Sequence, residues 1–423
     1  MKIAIIGSGI AGNTVARQLH AEHDITVFEA GARIGGHSHT HLVEHAGRSY
    51  AIDTGFIVYN TRNYPEFSAM LGTLGVESQP STMSFSVRDE RSGLEYSGTN
   101  LNTFFAQRRN LLNPAFLRML REIMRFNARA PGLLAAGVAE VSLGDYLQRE
   151  GYSQHFIDQF IIPMGAAIWS TRPGLMLQFP AQFFVRFLHN HGMLSAGKHP
   201  EWRSIVGGSM QYVERLVAPF RSRVRLNAPA ERLRREVNGV WLSAGGSGPV
   251  RYDAIFLACH SDEALKLLAQ PTSQEREVLG SIPFQRNEAV LHRDASLLPR
   301  TRRAWAAWNY HVTADRDGPV QLTYNMNMLQ RLESSSPFLV TLNRTDAIDP
   351  AQVLARETYH HPLFSPASTR AQLRHRELNG YRGTYYCGAW WRNGFHEDGV
   401  ASALQAVAHF RQDHAQRNLF RAG

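Results

Sequence analysis

The chain has 423 residues, 43% of them hydrophobic and 10% aromatic, so it is globular and long enough for two domains. Its formal net charge is +9, and only three of its 45 basic residues are lysines. Such a charge would permit binding to nucleic acid, but no nucleic-acid module is recognisable, so we expect no nucleic-acid partner. Two cysteines exclude a disulfide scaffold and favour a cytoplasmic protein, and no apolar run is long enough to span a bilayer.

The first 36 residues predict a dinucleotide-binding βαβ unit. An apolar strand at residues 3–6 is followed by a G-x-G-x-x-G motif and a helix over residues 12–22. We assign this strand to the fold and not to a signal peptide. Such glycines provide a tight turn, room for a pyrophosphate and close helix–strand packing, while the helix N-terminus attracts phosphates. A second strand ends where an acid is expected to bind a ribose hydroxyl. The predicted contacts are Gly7, Ser8, Gly9, Ala11, Gly12 and Glu29.

The next part of the chain, residues 61–200, is predicted to be largely helical. Residues 101–137 form a basic amphipathic stretch, which predicts either helices that cover a substrate cavity or a surface for peripheral membrane contact. Residues 160–188 are strongly apolar, which is typical of a core or of the wall of an apolar substrate pocket.

Later segments return to the nucleotide-binding domain. Residues 224–259 predict a strand, a hairpin and a strand beside the glycine-rich turn, and a helix is predicted to begin near residue 398 after a β-rich run. Strand-like segments between them indicate that a second domain is interleaved with the first. The predicted nucleotide-binding parts are residues 1–60, 201–275 and 376–423, and the predicted substrate-domain parts are residues 61–200 and 276–375.

Beyond Glu29 the sequence resembles the extended fingerprint E-x-x-x-R-x-G-G-R of the flavin-containing amine oxidoreductase superfamily. The resemblance implies an α/β fold in which a Rossmann-type FAD-binding domain is interleaved with an α+β substrate domain, as in amine oxidases, and it implies noncovalent FAD. Arg33 would hold the pyrophosphate, and His37 stands where the family usually has a second arginine. The further FAD contacts implied are Ala30, Gly35, Gly36, Gly55, Phe56, Ala230, Ala258, Gly388, Glu397, Gly399 and Val400.

Several phrases resemble more closely a bacterial group of predicted NAD/FAD-binding proteins that is similar to the N-terminal extension of plant cyclopropane fatty acid synthases. Among them are Trp169-Ser170-Thr171 and Trp308-Asn309-Tyr310. This resemblance implies a fatty-acyl or other lipid substrate. The lysine that amine oxidases of the superfamily commonly place at the flavin has no counterpart, because Lys198 and Lys266 fall in other segments. The candidate catalytic residues are therefore Asn309, His396 and Trp390.

The leading hypothesis is a FAD-dependent oxidoreductase, cytoplasmic and able to associate with membranes, that oxidises, desaturates or isomerises an apolar acyl chain by hydride transfer to flavin N5. One alternative is a polyamine-type amine oxidase, although residues 160–190 and 300–330 contain few of the acids that a cationic substrate requires. Another is a non-catalytic flavin-binding partner of a lipid-modifying enzyme. No metal is expected, because the His37/His39 and His189/His191 pairs lack nearby carboxylates in the sequence.

Overall fold

The structure, a computed structural model, describes residues 1–135, 140–194, 200–315 and 318–422. Its strands are β1 (Lys2–Ile6), β2 (Asp24–Phe28), β3 (Thr40–His45), β4 (Arg48–Asp53), β5 (Val58–Asn60), β6 (Ser78–Pro80), β7 (Phe85–Asp89), β8 (Leu94–Ser97), β9 (Trp202–Ile205), β10 (Val224–Arg225), β11 (Ala230–Glu236), β12 (Gly239–Ala244), β13 (Val250–Tyr252), β14 (Ala254–Leu257), β15 (Phe284–His292), β16 (Trp308–Val312), β17 (Leu322–Asn325), β18 (Leu339–Leu342), β19 (Val353–Pro362) and β20 (Thr384–Tyr386).

The helices are α1 (Ile10–Leu19), α2 (Pro65–Leu74), α3 (Leu101–Phe104), α4 (Pro114–Arg129), α5 (Leu143–Arg149), α6 (Gln154–Phe156), α7 (Ile162–Trp169), α8 (Ala181–Asn190), α9 (Met210–Val217), α10 (Ser261–Leu267), α11 (Ser273–Gly280), α12 (Met326–Leu329), α13 (Pro366–Gln372), α14 (His375–Leu378) and α15 (His396–Ala422).

A five-stranded parallel sheet forms one half of the molecule, in the order β10-β2-β1-β14-β20. Strand β1 lies at its centre, where Ile3 pairs with Ile25 on one side and with Ala254 on the other. Both faces of β1 are covered, because Ile3 and Ile5 belong to one buried cluster and the alternate residues of the strand belong to another. This double burial explains why β1 reads as a continuous apolar run.

Two helices that border the expected cofactor site begin earlier than the sequence predicts. Helix α1 begins at Ile10 and not at Gly12, because Gly9 already takes the extended conformation of an N-cap residue. Helix α15 begins at His396, two residues before the predicted start. In both cases a glycine that was expected to mark the helix start lies inside the first turn.

A seven-stranded sheet forms the other half, in the order β19-β15-β18-β17-β16-β7-β8. Neighbouring strands are antiparallel except for β16 and β7, which are parallel. One face of this sheet packs against the helices of residues 101–190 and forms the largest buried cluster of the described residues. The prediction that residues 61–200 are largely helical is wrong at β6, β7 and β8, two of which supply one edge of this sheet.

Candidate cofactor and substrate site

The glycine-rich turn joins β1 to α1 at the carboxyl end of the parallel sheet. Gly7 has a φ of +101°, and a Cβ there would lie 2.8 Å from the carbonyl oxygen of Ala258. A Cβ on Gly12 would overlap the carbonyl oxygen of Gly7. By contrast, a Cβ on Gly9 would meet nothing within 4 Å. The turn is therefore tightly packed behind Gly7 and Gly12 but open in front of Gly9, as the approach of a pyrophosphate requires.

The N-terminus of α1 faces this open space without a side-chain cap. Gly9 is the N-cap residue and has no side chain to accept a hydrogen bond, and the first turn of α1 contains no acidic residue. The first N–H groups of a helix have no partner within the helix, and they carry a partial positive charge. Together with Ala11, which is buried in that first turn, they fit a phosphate group.

Glu29 lies directly after β2 and is held against the glycine turn. Its carboxylate accepts hydrogen bonds from Ser8 N at 2.9 Å, from Ser8 Oγ at 2.6 Å and from Gly31 N at 2.8 Å. The carbonyl oxygen of Glu29 accepts a bond from Ala228 N, so the segment that leads to Ala230 lies at the same end of the sheet. Ala30 is exposed beside it. The residues predicted to contact the ribose and the adenine, Glu29 and Ala230, thus lie at the same end of the sheet.

Arg33 holds the loop that follows Glu29. Its Nη1 donates to the carbonyl oxygen of Ser38 at 3.1 Å, and its Nη2 donates to that of Gly36 at 2.8 Å. A Cβ on Gly36 would lie 3.0 Å from the Cα of Gly9, which means that the two glycine loops meet. Arg33 therefore brings a positive charge to the place where the open turn and the α1 N-terminus are found, which fits an anionic dinucleotide.

His37, which stands in place of the second arginine of the fingerprint, lies where the two halves of the molecule meet. Its ring packs against Tyr359 at 4.9 Å and against His361 at 5.3 Å, both on β19 of the seven-stranded sheet. Burial and then the neighbouring His361 lower the pKa of His37 well below its ordinary value, so the ring is neutral near pH 7. The carbonyl oxygen of His37 accepts a bond from Phe56 N at 2.8 Å, and Gly55 packs beneath it. His37 thus marks the junction between the two halves.

The N-terminus of α15 meets that of α1. A Cβ on Gly399 would lie 2.7 Å from Cγ2 of Ile10, the first residue of α1, and Val400 is buried beside it. Gly388 precedes this helix and is fixed through its N–H, which donates to Ser402 Oγ at 3.0 Å. Two helix N-termini therefore converge at the predicted cofactor site, as the resemblance implies for Gly388, Gly399 and Val400.

His396, for which a catalytic role is predicted, packs at the junction of three segments. Its ring stacks on Phe56 at 3.6 Å, and its Nε2 lies 3.0 Å from Ser38 Oγ and 2.9 Å from Tyr212 OH. The two hydroxyls also bond each other at 2.5 Å. Burial lowers the pKa of His396 to about 3, so the ring stays neutral. These contacts tie α15 to α9 and to the loop after Arg33.

Glu397 serves as a helix cap in the structure. Its two carboxylate oxygens accept bonds from Glu66 N at 3.1 Å and from Phe67 N at 2.9 Å, in the first turn of α2. The predicted contact between Glu397 and FAD therefore competes with a role that already uses both oxygens. Asp398, the next residue, is also buried, and burial raises its pKa to about 7.

Asn309 and Trp390, which are also predicted to be catalytic, both have internal hydrogen-bond partners. Asn309 uses both ends of its amide internally, since Oδ1 accepts from Ser86 Oγ and Ala306 N while Nδ2 donates to the carbonyl oxygens of Ala306 and Thr323. Trp390 stacks on Trp391 at 4.3 Å, donates to the carbonyl oxygen of Cys259 and belongs to a cluster beneath the parallel sheet. Each side chain is part of the interior.

A polar network that the sequence analysis missed lies beside His37. Asn287 on β15 donates from Nδ2 to the carbonyl oxygen of Ser170 at 3.0 Å and to His361 Nδ1 at 2.8 Å. Its Oδ1 accepts from Gln285 Nε2 and Asn343 Nδ2. Since the carbonyl oxygen of Ser170 can only accept, the amide orientation is set, and the ring proton of His361 must lie on Nε2.

Two buried polar atoms near this network have no hydrogen-bond partner among the described residues. They are Gln285 Oε1 and Thr171 Oγ1. Buried polar groups normally have a partner, so unpaired ones at a domain junction are suited to a bound group or a water molecule. No local pattern in the sequence marks this network, because its members come from β15, β19 and the end of α7.

Asp53 forms a second junction between the halves. Its carboxylate accepts bonds from Thr40 Oγ1 at 2.6 Å, from Ser209 N and Oγ at the start of α9, and from Gln330 Nε2 at 3.0 Å. Burial raises the pKa of Asp53 to about 6 despite these hydrogen bonds, which act to lower it. The acid therefore links the hairpin of β3 and β4 to α9 and to a residue that follows α12.

No metal was expected at the His37/His39 pair, but His39 meets a carboxylate together with another histidine, His41. Glu357 on β19 places its Oε1 3.3 Å from His39 Nδ1 and 3.3 Å from His41 Nε2. The carboxylate is more than 300 residues away in the sequence, so spacing alone could not reveal it.

The amphipathic stretch of residues 101–137 is partly core and partly surface, and its residues 136 and 137 lie outside the described part. Phe104, Phe116 and Phe126 are buried. Leu111 and Leu112 are 50% and 88% exposed. Among the described residues, no helix has both the length and the apolar character needed to cross a membrane.

The family described as flavin containing amine oxidoreductase matches residues 10–290 of the chain. Cyclohexylamine oxidase from Brevibacterium oxydans IH-35A has a similar structure, with 15% identity, a TM-score of 0.70 and 97% of this chain and 99% of that chain covered. A putative protoporphyrinogen oxidase from Exiguobacterium sp. 255-15 has 17% identity, a TM-score of 0.70 and coverages of 98% and 99%. A fatty acid isomerase from P. acnes that produces CLA has 16% identity, a TM-score of 0.66 and coverages of 96% and 98%.

These structural similarities confirm the predicted fold, a Rossmann-type FAD-binding domain combined with an amine oxidase-like second domain. Comparison with curated proteins finds no match. The family match covers most of the chain and brings with it the flavin for which the glycine turn, Arg33 and the two helix N-termini are suited. The chain belongs to the flavin-containing amine oxidoreductase family and is a FAD-dependent oxidoreductase.

Proposed function

We propose that this oxidoreductase oxidises, desaturates or isomerises an apolar acyl chain and does not act on an amine. The proposal rests on the apolar side chains that the seven-stranded sheet turns toward the helices. That face presents Ala289, Leu291, Tyr310, Leu322, Val340 and Leu342 to the largest buried cluster. An apolar wall of this kind favours a substrate that has no charge along the part it buries.

A row of polar residues from the same strands lies on the opposite face. There, His292 Nε2 bonds Thr341 Oγ1, Thr341 Oγ1 bonds Thr323 Oγ1, and Thr323 Oγ1 bonds His311 Nε2, at 2.7, 2.8 and 3.1 Å. Because side chains alternate along a strand, this row is separated from the apolar wall by the thickness of the sheet. The separation supports an apolar substrate region.

The basic residue typical of amine oxidases is missing from this sheet. The three lysines of the sequence are Lys2, Lys198 and Lys266, and none belongs to β15–β19. Lys266 lies on α10 and is exposed beside Asp262 at 3.4 Å. A lysine that holds a water at the flavin, which the resemblance associates with amine oxidation, therefore has no counterpart on the sheet.

The acidic residues buried near the helices already have hydrogen-bond partners. Asp89 bonds Arg91 and Gln159, Glu95 accepts from two backbone N–H groups, and Glu122 bonds Ser153. A cationic amine needs a free carboxylate or an aromatic cage to replace its lost hydration. These paired acids provide no free carboxylate, which weakens the case for an amine substrate.

FAD supplies the redox chemistry, because its N5 accepts a hydride from a substrate carbon. The contribution of the chain is orientation and the exclusion of water. Burial lowers the pKa of His361 to about 4, so its neutral ring offers an Nε2–H donor while Asn287 holds Nδ1. Gln285 Oε1 adds an unpaired acceptor. We propose that this network positions the polar end of the substrate, or a water, at the junction beside His37.

Two further similarities support a lipid substrate. The fatty acid isomerase from P. acnes shares the fold over nearly the whole chain, although cyclohexylamine and putrescine oxidases share it as well. The phrases that resemble the bacterial relatives of the cyclopropane fatty acid synthase extension point in the same direction. Because these similarities do not separate the substrates, our proposal of an acyl chain rests on the wall chemistry and the missing lysine.

The test is anaerobic flavin reduction in purified protein. Parallel samples receive a lipid extract, individual free fatty acids or polyamines, and the oxidised flavin band is followed, with free FAD as the control. For an oxidising or desaturating enzyme we expect bleaching with lipid alone. An isomerase would instead return oxidised flavin with a shifted double bond, which chromatography of the recovered lipid detects. Bleaching by amines alone would establish amine oxidation, and the absence of either reaction would favour the non-catalytic partner and contradict the proposal.

We also propose that the exposed part of residues 101–135 contacts an anionic membrane surface. Leu101, Leu111 and Leu112 are exposed next to Arg108 and Arg109, a combination of apolar and basic groups that suits an interfacial surface. In co-sedimentation with anionic vesicles, the double variant Leu111→Ser/Leu112→Ser should bind about tenfold more weakly. Leu373→Ser, which changes another highly exposed leucine, is the control. Equal binding of all three proteins would contradict this proposal.

A further inference from the structure

Two histidines of the FAD-binding half and one glutamate of the other half face the same point. His39 and His41 flank Thr40, and residues two apart project from the same side of an extended chain. Thr40 points the opposite way, because its Oγ1 donates to Asp53 at 2.6 Å. That hydrogen bond fixes the direction of both histidines. Glu357 reaches them from the middle of β19.

The three groups have the spacing of a coordination site. Oε1 of Glu357 lies 3.3 Å from His39 Nδ1 and 3.3 Å from His41 Nε2, and the three atoms lie within 4.8 Å of one another. An N–H···O hydrogen bond is usually about 2.7–3.2 Å long. In a tetrahedral zinc site with bonds of about 2.0–2.1 Å, neighbouring ligand atoms are about 3.3 Å apart. The observed nitrogen–oxygen separations agree with the spacing of ligand atoms around zinc.

The two nitrogens also lack any other partner. His39 Nδ1 and His41 Nε2 are shielded from solvent and accept or donate no hydrogen bond among the described residues. The centroids of the two imidazole rings lie 4.1 Å apart, and the rings are tilted by 40°. A polar atom that is shielded and unpaired is costly unless something occupies the space that it faces.

We propose that His39, His41 and Glu357 bind one divalent transition-metal ion, with Zn²⁺ as the expected occupant. Two imidazole nitrogens and one carboxylate oxygen are a common ligand set for this class of ion, and water completes the tetrahedron. The three side chains are about one-fifth exposed, at 18%, 19% and 23%, so water and metal can reach the site.

The ion would connect the two halves of the molecule. His41 belongs to β3, which pairs with β4 in the FAD-binding half, whereas Glu357 belongs to the edge strand of the seven-stranded sheet. Two residues along β19, Tyr359 OH bonds Thr54 Oγ1 at 2.7 Å. The metal site and this hydrogen bond would act together as a clamp beside the cofactor loop. This role does not depend on the identity of the organic substrate.

The decisive experiment is calorimetric titration of Zn²⁺ into the flavin-loaded protein after removal of metal with a chelator. The protein must carry no histidine tag, because a tag would bind the same ion. We expect one Zn²⁺ per chain. His41→Gln and Glu357→Gln should each weaken binding about 100-fold, since each removes one of three ligands. His189→Gln and Glu44→Gln, which change exposed residues outside the cluster, should bind Zn²⁺ like the wild type.

A second measurement needs no variant. Bound Co²⁺ in a tetrahedral site of nitrogen and oxygen ligands absorbs visible light at longer wavelengths than flavin, and the intensity of this absorption reports the coordination number.

Zn²⁺ should also raise the melting temperature of the wild type but not that of Glu357→Gln. Failure of the wild type to take up Zn²⁺, an octahedral Co²⁺ spectrum, or unchanged binding in folded Glu357→Gln would each overturn the proposal.

Discussion

In the half built on the parallel sheet, the surface prepared for FAD consists mainly of backbone. Gly9 leaves open space, α1 and α15 present their N-termini, and Arg33 is the principal charged side chain. In the half built on the seven-stranded sheet, the polar groups at the junction are side chains from distant strands, such as Asn287 and His361. The first half is suited to a cofactor through shape and fixed dipoles, and we propose that the second positions its substrate through replaceable side chains.

This difference predicts how each half responds to mutation. A backbone site is sensitive to any added atom, because main chain cannot move aside without disturbing the sheet. A side-chain network loses hydrogen bonds one at a time, so its variants should keep the cofactor and lose orientation.

The largest effect is expected for Gly12→Ala. Its Cβ would overlap the carbonyl oxygen of Gly7, so the turn must open and the α1 N-terminus must shift. We expect FAD affinity to fall by at least about 100-fold, measured as flavin retained per chain. The control is Gly72→Ala in α2, where a Cβ meets nothing within 4 Å. Full flavin occupancy in Gly12→Ala would show that the turn is less rigid than the packing indicates.

The next effect is expected for Asn287→Ala in the side-chain network. Four hydrogen bonds are lost, which should cost about 2–4 kcal/mol in the free energy of unfolding. Flavin content should stay unchanged, while the rate of flavin reduction by the substrate should fall more than tenfold.

Asn309→Ala is the matched control for this prediction, because it also removes four internal hydrogen bonds from a buried asparagine. Its unfolding free energy should fall by a similar amount, but flavin reduction per folded molecule should be unaffected. If the two variants lose the same rate, Asn287 has no special role at the junction, and Asn309 regains its standing as a catalytic candidate.

A pH-dependent effect is expected from Asp398. Burial raises its pKa to about 7, so the folded protein favours the protonated carboxyl, and stability falls as the pH rises from about 4 through 7. Asparagine at this position retains an oxygen for the N–H groups of Asn393 and Phe395 but does not ionise. In urea unfolding, Asp398→Asn should gain on the order of 2 kcal/mol relative to the wild type between pH 5 and pH 8. Glu44→Gln, which changes an exposed carboxylate, should show no such gain.

The smallest effect is expected for Glu397→Gln, which tests the cap assignment against the predicted FAD contact. An amide can accept only one of the two bonds from the first turn of α2, so stability should fall by about 1 kcal/mol without loss of flavin. Thr272→Ala removes a comparable cap from α11 and should behave alike. A tenfold drop in FAD affinity for Glu397→Gln alone would instead support the contact with the cofactor.

The parallel half was largely predictable because its signals are local. The strand predicted at residues 3–6 is found at Lys2–Ile6, since burial on both faces leaves an apolar run in the sequence. Strands β7 and β8 were missed because neither contains a continuous apolar run, and β16, the partner of β7, is more than 200 residues away. Pairing at that distance leaves no periodic trace near either strand.

The candidate site was less predictable than the fold. Asn309 was a candidate because a polar group could replace the missing lysine, but the alternation along β16 places Trp308 and Tyr310 toward the helices and turns Asn309 to the other face. That argument was available from the sequence once β16 was recognised. The meeting of His41 with Glu357 was not, because it depends on how two separate sheets are placed against each other.

The order of strands in the parallel sheet has a consequence for synthesis on the ribosome. Strand β1 is made first, yet its neighbour β14 follows about 250 residues later, and β20 pairs with β14 only after residue 384 has been made. Helix α15, which completes the phosphate-facing surface, is made later still. Contacts of such long range form late during folding. The glycine turn of the nascent chain therefore has no flavin bound through most of translation. Flavin insertion is one of the last events in maturation of the protein.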